Sequence, residues 1–407
     1  MISNFIVFLL LCKCLNCSVE NSDLGIGFII LSQPNEHHKS LAEQLKLNIL
    51  NQAKELHCER KIKIYKSHED FGNVLGHWTI QPLFKKLSKL ENLDWIFFLE
   101  DQTHMSVKEI FKIMLSYNSS QNIFVGYALK DSDPTIIHHF AAMDENSVIS
   151  YPHFSAGFFM SFSLISKLIM ECKDCQFSID PKYELAKFIR DNSATKLIHE
   201  PQLCLKKNLD ICATWITENI PNCGHAIPAK KIFVAVKTCT KFHKDRVKVL
   251  KSTWAPDVEN LLMFSDSEDP SIPTIQLNVE NVAIGHCQKT LSIMKFFDTS
   301  LLILSFDWLV IVDDDTLLSF HRLTKLLACY DSSKEVVIGE RYGYSVSENF
   351  GYNYPTGGSG MIFSRKAIEK LIAFCHCPSN DSPDDMIIGV CLKNLDIDVT
   401  NSPFLHQ

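Results

Sequence analysis

The sequence has 407 residues, of which 46% are hydrophobic and 21% are charged, and its formal net charge is −7. This is the composition of a globular protein with enough apolar residues to form a core in each of two or three domains. Lysine and arginine do not gather into a basic run. Nucleic acid is therefore not an expected partner, because binding a phosphate backbone requires grouped cations.

The first residues predict entry into the secretory pathway. Residues 5–11 form an apolar run that is short for a membrane span, and polar residues follow it. We expect residues 1–19 to be a cleaved signal peptide rather than a membrane anchor, although the run alone permits both. No later segment is long and apolar enough to cross a bilayer.

The cysteine content points to an oxidising compartment. The chain has 15 cysteines, and 12 remain once the three in the leader are removed. An even number in a secreted protein favours disulfides. The close pairs Cys172/Cys175 and Cys375/Cys377 resemble zinc half-sites, but neither has a partner pair at zinc-site spacing. We therefore expect disulfides at these positions as well.

Two halves of the chain repeat one another. The segment DWIFFLEDQT at 94–103 aligns with DWLVIVDDDT at 307–316, and shorter matches keep the same order along the chain. These shorter matches are Gly76-His77 with Gly285-His286, Val125-Gly126 with Ile338-Gly339, residues 151–157 with 354–360, and residues 167–172 with 370–375. Ordered matches with little drift in spacing predict two copies of one domain, at about 24–225 and 230–407.

Strands and helices are predicted to alternate in these copies. Apolar runs typical of buried parallel strands open them at 25–31 and 231–236. In the second copy, helical spacing predicts helices over 243–254 and 286–297, with strands at 260–264 and 308–312. The alternation predicts an α/β fold with a largely parallel sheet.

Three aspartates follow the strand predicted at 308–312. The carboxyl ends of strands are where open α/β folds bind ligands. Because side chains alternate on an extended segment, we expect Asp313 and Asp315 to converge while Asp314 points elsewhere. Converging carboxylates suit Mg²⁺ or Mn²⁺ holding a diphosphate, although the triplet alone also permits a solvated acidic turn.

Two later segments are further candidates for the site. The glycine-rich stretch 354–360 includes Gly358, where a missing side chain allows close approach to a ligand, and a plain loop is the alternative. Asp384 and Asp385 follow Pro383 at the start of a predicted helix. They either cap that helix or supply a general base for an acceptor hydroxyl.

The two copies differ at both acidic positions. The first copy has Glu100-Asp101-Gln102 in place of the three aspartates, and Lys182-Tyr183 in place of Asp384-Asp385. The strand patterns persist while the carboxylates change together. This contrast predicts an inactive first copy and an active second copy.

Over about 231–407 the sequence resembles the Fringe-like β-1,3-glycosyltransferases. The motifs that carry the resemblance occur in order: KTC at 237–239, HKDR at 243–246, STW at 252–254, Ser265-Asp266, VDDDT at 312–316, the glycine-rich stretch, and PDD at 383–385. The resemblance implies two tandem GT-A-like (Rossmann-like) domains, the first degenerate, with Mn²⁺ as cofactor and a UDP-sugar as donor.

Two longer stretches are similar to one group within that family. GERYGY at 339–344 and SNDSPDDM at 379–386 are similar to the members that extend O-linked fucose on thrombospondin type 1 repeats. This similarity implies inverting transfer of glucose from UDP-glucose, in the endoplasmic reticulum lumen. Pattern alone leaves open Fringe-type transfer of N-acetylglucosamine or galactose, and a non-catalytic secretory-pathway protein that binds folded repeats.

The resemblance also assigns roles to individual residues. It implies that Asp315 binds Mn²⁺ with Asp313, and that Asp385 is the base with Asp384 as the fallback. The residues implied to contact the nucleotide are Thr238, Arg246, Asp266, Lys289, Asp314 and Gly358. Relatives continue beyond the position of Gln407 with a further metal-binding histidine and a retention signal, so we expect the second copy to be truncated.

Overall fold

The computed structural model describes residues 24–131, 149–171, 180–207, 211–216, 219–300 and 305–407. The predicted signal peptide and the pair Cys172/Cys175 lie outside the described residues. In the part that is described, none of the helices has the length and apolar character needed to cross a membrane.

The chain folds as two compact units. The first consists of Met1–Glu218 and Ser345–Asn349, and the second of Asn219–Tyr344 and Phe350–Gln407. The main division therefore falls between residues 218 and 219. The assignment of Ser345–Asn349 to the first unit was not predicted, because no repeat match covers this segment and the offset between the copies changes across it, from 213 at Gly126 and Gly339 to 203 at Tyr151 and Tyr354.

The first unit is built on a central sheet with six strands among the described residues, in the order β2-β1-β3-β8-β5-β9. Its strands are β1 (Ile26–Leu31), β2 (Ile62–Lys66), β3 (Trp95–Glu100), β4 (Thr103–Met105), β5 (Phe124–Gly126), β6 (Ala128–Leu129), β7 (Tyr151–Pro152), β8 (Phe158–Ser161), β9 (Ile198–His199), β10 (Leu203–Lys206) and β11 (Thr214–Ile216). Its helices are α1 (Glu36–Glu55), α2 (Ser67–Asp70), α3 (Phe84–Leu87), α4 (Val107–Leu115), α5 (Phe162–Glu171) and α6 (Pro181–Ser193).

The second unit has a central sheet in the order β14-β13-β12-β15-β19-β16-β20, and a separate hairpin, β17-β18. Its strands are β12 (Ile232–Lys237), β13 (Leu261–Ser265), β14 (Thr274–Gln276), β15 (Trp308–Asp313), β16 (Val337–Gly339), β17 (Arg341–Tyr344), β18 (Tyr352–Pro355), β19 (Met361–Ser364) and β20 (Val399–Asn401). Its helices are α7 (Arg246–Ser252), α8 (Cys287–Thr299), α9 (Phe320–Leu327), α10 (Arg365–Phe374) and α11 (Asp384–Asn394).

The strands and helices predicted for this half are present, with one marked difference in length. The helix predicted over 243–254 is confined to α7, because residues 240–242 form a 3₁₀ turn and Asp245 caps the helix by accepting from the Arg246 N–H. The strand predicted at 260–264 is β13, and the one predicted at 308–312 is β15 with one further residue.

The two central sheets share one strand order and one set of directions. Strand β1 in the first sheet and strand β12 in the second lie parallel to their neighbours on both sides. The next strand but one, β8 or β19, is antiparallel to β3 or β15. Glycines matched by the repeat also keep the same unusual backbone, with φ of 70° at Gly76 and 86° at Gly285, and 77° at Gly157 and 85° at Gly360.

The core of each unit lies against both faces of its central sheet. The matched strands β3 and β15 are buried along their first five residues, and the tryptophans that open them, Trp95 and Trp308, are fully buried. Strands covered on both faces need apolar side chains in both directions, which explains the uninterrupted runs WIFFL and WLVIV.

Disulfides account for most cysteines among the described residues. The bridges are Cys204–Cys212, Cys223–Cys329, Cys287–Cys377 and Cys375–Cys391. The expectation of disulfides over zinc is confirmed at Cys375 and Cys377, which bond to different partners. It is wrong for Cys58 and Cys239, which are free thiols.

Helix α11 packs backbone to backbone against strand β18. The contact centres on Gly389, where an added Cβ would lie 2.6 Å from Tyr354 Cβ and 2.7 Å from the Asn353 carbonyl oxygen. No real Cβ fits at such distances, so only glycine allows the helix to lie this close to the strand. This packing sets the position of the first turn of α11, which carries Asp384 and Asp385.

We expect Gly389→Ala to lower the free energy of unfolding by about 1–3 kcal/mol, because helix and strand must separate to admit the methyl group. Thermal unfolding of the full chain measures this as a lower Tm. Asn394→Ala, at an exposed position of the same helix, is the matched control and should leave Tm nearly unchanged. Equal Tm values for the two variants would contradict the packing described.

Candidate active site

A cavity of about 530 Å³ opens at the carboxyl edge of the second unit's sheet, where β12 and β15 end beside one another. Its lining consists of Lys237, Thr238, Cys239, Lys241, Phe242, Arg246, Asn281, Val282, Ala283, His286, Lys289, Asp313, Asp314 and Asp315. The structure therefore brings together Thr238, Arg246, Lys289 and the three aspartates in one cavity. The roles that the resemblance assigns to them stay predictions.

A buried lysine ties the two acidic segments together. Lys237, the last residue of β12, is 7% exposed. Its Nζ lies 3.0 Å from Asp313 Oδ1 and 2.7 Å from Asp384 Oδ2, and the Thr290 hydroxyl donates to the same Asp384 oxygen at 2.5 Å. Burial opposes the charge on Lys237, but the two carboxylates outweigh it and raise the pKa of its ammonium group.

The two carboxylates that Lys237 holds have different protonation tendencies. Burial alone would raise the pKa of Asp384, but Lys237 and the Thr290 hydroxyl hold it below its ordinary value. Desolvation raises the pKa of Asp313 despite the opposing Lys237. Asp384 is thus a fixed anion whose two oxygens both accept hydrogen bonds, Oδ2 from Lys237 and Thr290 and Oδ1 from the Asp385 N–H, as expected of a structural group rather than of a base.

The prediction that Asp314 points away from Asp315 is wrong. Strand β15 ends at Asp313 and the next two residues form a turn, so the alternation of an extended strand does not continue. Arg246 Nη1 binds both neighbours, at 3.0 Å to Asp314 Oδ1 and 2.8 Å to Asp315 Oδ2. The Thr238 hydroxyl donates to the other Asp314 oxygen at 2.7 Å.

Two carboxylates at this edge have an oxygen that could bind a divalent cation. Both oxygens of Asp314 are committed to Arg246 and Thr238. Asp313 and Asp315 each have one oxygen bound, and within the described residues the other oxygen of each has no protein partner. Uncommitted carboxylate oxygens are the ligands that Mg²⁺ and Mn²⁺ prefer. Asp313 and Asp315 are therefore the residues suited to hold such an ion.

Two cationic groups that line the same cavity suit a phosphate-bearing ligand. Lys289 Nζ donates to the Thr238 carbonyl oxygen at 2.8 Å and to Asn281 Oδ1 at 3.0 Å, and burial lowers its pKa. The Arg246 guanidinium lies 3.9 Å from the centre of the Phe242 ring, which holds it in place by a cation–π contact. These two cations face the same cavity as the aspartates.

Asp385 is the carboxylate left partly open beside this network. It is half-buried, accepts from the Gly357 N–H at 3.2 Å and from the Met386 N–H at 2.7 Å, and has no side chain opposite it at Gly357. Burial and the neighbouring Asp384 charge raise its pKa to about 6. A carboxyl group near that value can take up a proton at neutral pH.

A close backbone contact at Gly285 fixes the start of helix α11. Gly285 has φ of 86°, and a Cβ there would lie 1.9 Å from the Asp381 carbonyl oxygen. The Asp384 N–H donates to the Gly285 carbonyl at 2.9 Å, and the Cys287 N–H donates to the Ser382 carbonyl at 3.2 Å. The matched Gly-His pair of the repeat therefore has a structural purpose here, because it seats the acidic turn against helix α8.

Two predicted nucleotide contacts lie outside the cavity lining. Asp266 accepts from the Thr240 N–H at 2.8 Å and from the Ser265 hydroxyl at 3.1 Å, and so braces the loop after β12. Gly358 is exposed beside Gln407, whose Cγ would lie 2.8 Å from an added Cβ. Their assigned roles stay predictions.

The corresponding edge of the first unit is built differently. Glu100 is the repeat counterpart of Asp313. In the sheet register Glu100 pairs with Leu31, whereas Asp313 pairs with Lys237, so Leu31 takes the place of the lysine. Asp101 is buried against His38, with 2.8 Å between Oδ2 and Nδ1. The lysine that joins the acidic segments in the second unit thus has an apolar residue in its place.

Sequence reasoning missed Lys237 and Thr290 as site residues. Lys237 could have been found, because a lysine that closes an otherwise apolar buried strand needs a buried counter-charge. Thr290 carries no such signal, since a threonine on a helix face is common. The partner Asp384 lies 147 residues from Lys237, beyond the reach of any local pattern.

Comparisons with known proteins identify related glycosyltransferases. The Fringe-like family model matches residues 18–187 and 227–407. The chain is 43% identical over 394 residues to the β-1,3-glucosyltransferase of Homo sapiens, which covers 94% of this chain and 78% of that protein. It is 42% identical over 391 residues to the Mus musculus protein of the same name, covering 94% and 79%.

A second group of relatives is more distant. The lunatic fringe β-1,3-N-acetylglucosaminyltransferase of Xenopus laevis is 29% identical over 204 residues, 44% of this chain and 54% of that protein. Both groups are glycosyltransferases that form β-1,3 linkages, and the family model covers most of the chain. The chain therefore belongs to the Fringe-like family of glycosyltransferases.

Proposed function

We propose that the chain is an inverting β-1,3-glucosyltransferase that transfers glucose from UDP-glucose to O-linked fucose on thrombospondin type 1 repeats. The observation that carries the proposal is the identity of 42–43%, over 94% of the chain, with two proteins named β-1,3-glucosyltransferase. The identity of the donor nucleotide and of the fucosylated acceptor rests on the sequence resemblance described above.

In the proposed reaction Asp385 is the general base. It removes the proton from the acceptor hydroxyl, whose oxygen attacks the anomeric carbon of the donor while the bond to the diphosphate oxygen breaks. One in-line displacement inverts the configuration and needs no covalent intermediate. Asp384 cannot act as the base while its carboxylate is bound by Lys237 and Thr290. The charge of Asp384 instead helps to raise the pKa of Asp385.

The cavity holds the donor in this proposal. Lys289 and Arg246 bind the diphosphate by charge, and Asp314 keeps Arg246 in position. Asp313 and Asp315 would hold Mn²⁺, which when bound neutralises the charge that develops on the departing nucleotide. The fit rests on the two uncommitted carboxylate oxygens of these residues.

The first unit is a degenerate copy of the same domain in this proposal, and the protein works in the lumen of the endoplasmic reticulum. The shared strand order and the family match at 18–187 support the copy. The four disulfides found within the described part of the chain support an oxidising compartment. Leu31 in place of Lys237 supports the loss of the site.

We expect Asp385→Asn to lower kcat by about 10²–10⁴-fold, the usual contribution of a positioned general base. The measurement is UDP release from UDP-glucose with a fucosylated thrombospondin type 1 repeat as acceptor. Asp398→Asn, at an exposed position after α11, is the matched control and should keep full activity.

Binding of UDP-glucose separates a chemical defect from a misfolded site. Asp385 lies outside the cavity lining, so its variant should keep the wild-type Kd in calorimetry. Parallel loss of binding and turnover in Asp385→Asn would contradict the role of base. Transfer from UDP-N-acetylglucosamine but not from UDP-glucose by the wild-type chain would replace the proposed donor.

The pH profile should carry the signature of Asp385. Its pKa is raised to about 6, and only the ionised carboxylate accepts a proton, so kcat/KM should be constant above pH 7. Below pH 6 it should fall by about tenfold per pH unit as the carboxyl group is protonated. In Asp385→Asn the residual rate should not change between pH 5 and 7, and persistence of the acidic limb in that variant would assign it to another group.

Metal dependence is tested on the two carboxylates with uncommitted oxygens. We expect chelation to abolish turnover, Mn²⁺ to restore it, and Asp315→Asn to raise the Mn²⁺ concentration for half-maximal activity roughly tenfold or more. Paramagnetic resonance of Mn²⁺ gives a second readout that does not depend on activity. Asp257→Asn, an exposed position, is the control, and full turnover without any divalent ion would exclude the metal role.

A further inference from the structure

The β17-β18 hairpin carries a ladder of four tyrosines. Tyr342 lies opposite Tyr354 in the register, and Tyr344 lies opposite Tyr352. The inner pair is 1% exposed, whereas Tyr344 is 41% exposed and Tyr352 is half-buried. The rings of the outer pair lie 5.6 Å apart at 32°. The outer pair therefore presents an aromatic surface that is not buried in the core.

Helix α11 places this surface beside Asp385. Gly389 follows Asp385 by one helical turn, so the two residues share a face of the helix. A Cβ at Gly389 would lie 3.0 Å from Tyr352 Cδ2, which puts the Tyr352 ring against that same face. Burial, Tyr344 and the charge of Asp385 together raise the pKa of the Tyr352 phenol, which is consistent with this proximity.

The tyrosine pair lies outside the donor cavity. Neither the hairpin nor Asp385 belongs to the lining that the three aspartates, Lys289 and Arg246 form. An in-line displacement requires the incoming hydroxyl to approach from the side opposite the leaving diphosphate. The half-open face of Asp385 next to Tyr352 is the side where a base and an acceptor would meet.

We propose that Tyr352, supported by Tyr344, is the platform on which the acceptor sugar ring stacks, and that it fixes the acceptor hydroxyl over Asp385. The inference rests on the proposed function. A tyrosine ring offers an apolar face to the C–H face of a pyranose and a hydroxyl at its rim. Among the described residues the Tyr352 hydroxyl has no hydrogen-bond partner, so it is available to a sugar hydroxyl.

The 6-deoxy character of fucose suits such a platform. Its C6 is a methyl group, so one edge of the ring has no hydroxyl to desolvate when it packs on an aromatic side chain. Loss of one apolar contact of this size lowers kcat/KM for the substrate that makes it by about 10–200-fold. The platform therefore acts on acceptor binding and orientation, while the donor is held elsewhere.

The test compares Tyr352→Ala, Tyr352→Phe and Tyr344→Ala with the wild-type chain. The acceptors are a folded fucosylated thrombospondin type 1 repeat and a short fucosyl-serine peptide. We expect Tyr352→Ala to raise the acceptor KM by at least about tenfold for both acceptors, with the Kd of UDP-glucose unchanged. Tyr352→Phe should retain most of the affinity, and Tyr344→Ala should show a smaller loss.

Phe374→Ala is the matched control, because Phe374 is an aromatic residue that is 68% exposed at the end of α10. It should leave both acceptor KM and donor Kd unchanged. Because Tyr344 is the more exposed of the pair, its variant keeps the test decisive if Tyr352→Ala unfolds.

The outcomes separate this inference from the proposed function. An unchanged acceptor KM in Tyr352→Ala and Tyr344→Ala would overturn the platform while leaving the glucosyltransferase intact. A loss seen with the folded repeat but not with the short peptide would also overturn it, because it would assign the tyrosines to protein contacts. Absence of glucose transfer by the wild-type chain would instead overturn the proposed function itself.

Discussion

The buried ion network around Lys237 is the constraint on which the rest of the second unit's site depends. A lysine ammonium at the end of a covered strand cannot remain charged without partners, because an unpaired buried ion costs several kcal/mol. Asp313 and Asp384 meet that need from β15 and α11. The three elements that bear the site are thus joined at one nitrogen atom, and their relative positions are set before any ligand arrives.

The same network divides the work of two adjacent aspartates. Asp384 points inward to Lys237 and Thr290 and is held as an anion, while Asp385 stays half-exposed with a raised pKa. A residue that anchors a helix by charge cannot also exchange protons easily, whereas a neighbour that feels this fixed charge gains basicity. In the proposed reaction the structural carboxylate therefore tunes the chemical one.

Local sequence patterns predicted the strands that arise from apolar runs. They missed the features that depend on contacts between residues far apart in the chain. The strands ending at Lys237 and Asp313 follow from apolar runs, and the site edge follows from where such strands end. The turn after Asp313 broke the expected alternation, because strand geometry ended one residue into the aspartate triplet. The bond from Lys237 to Asp384, the free thiols of Cys58 and Cys239, and the membership of Ser345–Asn349 in the first unit depend on tertiary packing. None of these leaves a local mark in the sequence.

The joint loss of acidic residues in the first unit has a physical explanation on the proposal that this unit is a degenerate copy. Removing one member of a buried ion network leaves an uncompensated charge and costs about 3–5 kcal/mol, a large part of the stability of a typical domain. A copy released from catalysis therefore cannot lose the lysine alone. Leu31 in place of the lysine, together with Lys182 where the second unit has Asp384, removes the buried ammonium and its helix-borne counter-charge at once. A duplicated domain would therefore be expected to lose the lysine and its helix-borne carboxylate together, whereas Glu100, which takes the place of Asp313, keeps its charge and accepts from the Ser155 hydroxyl.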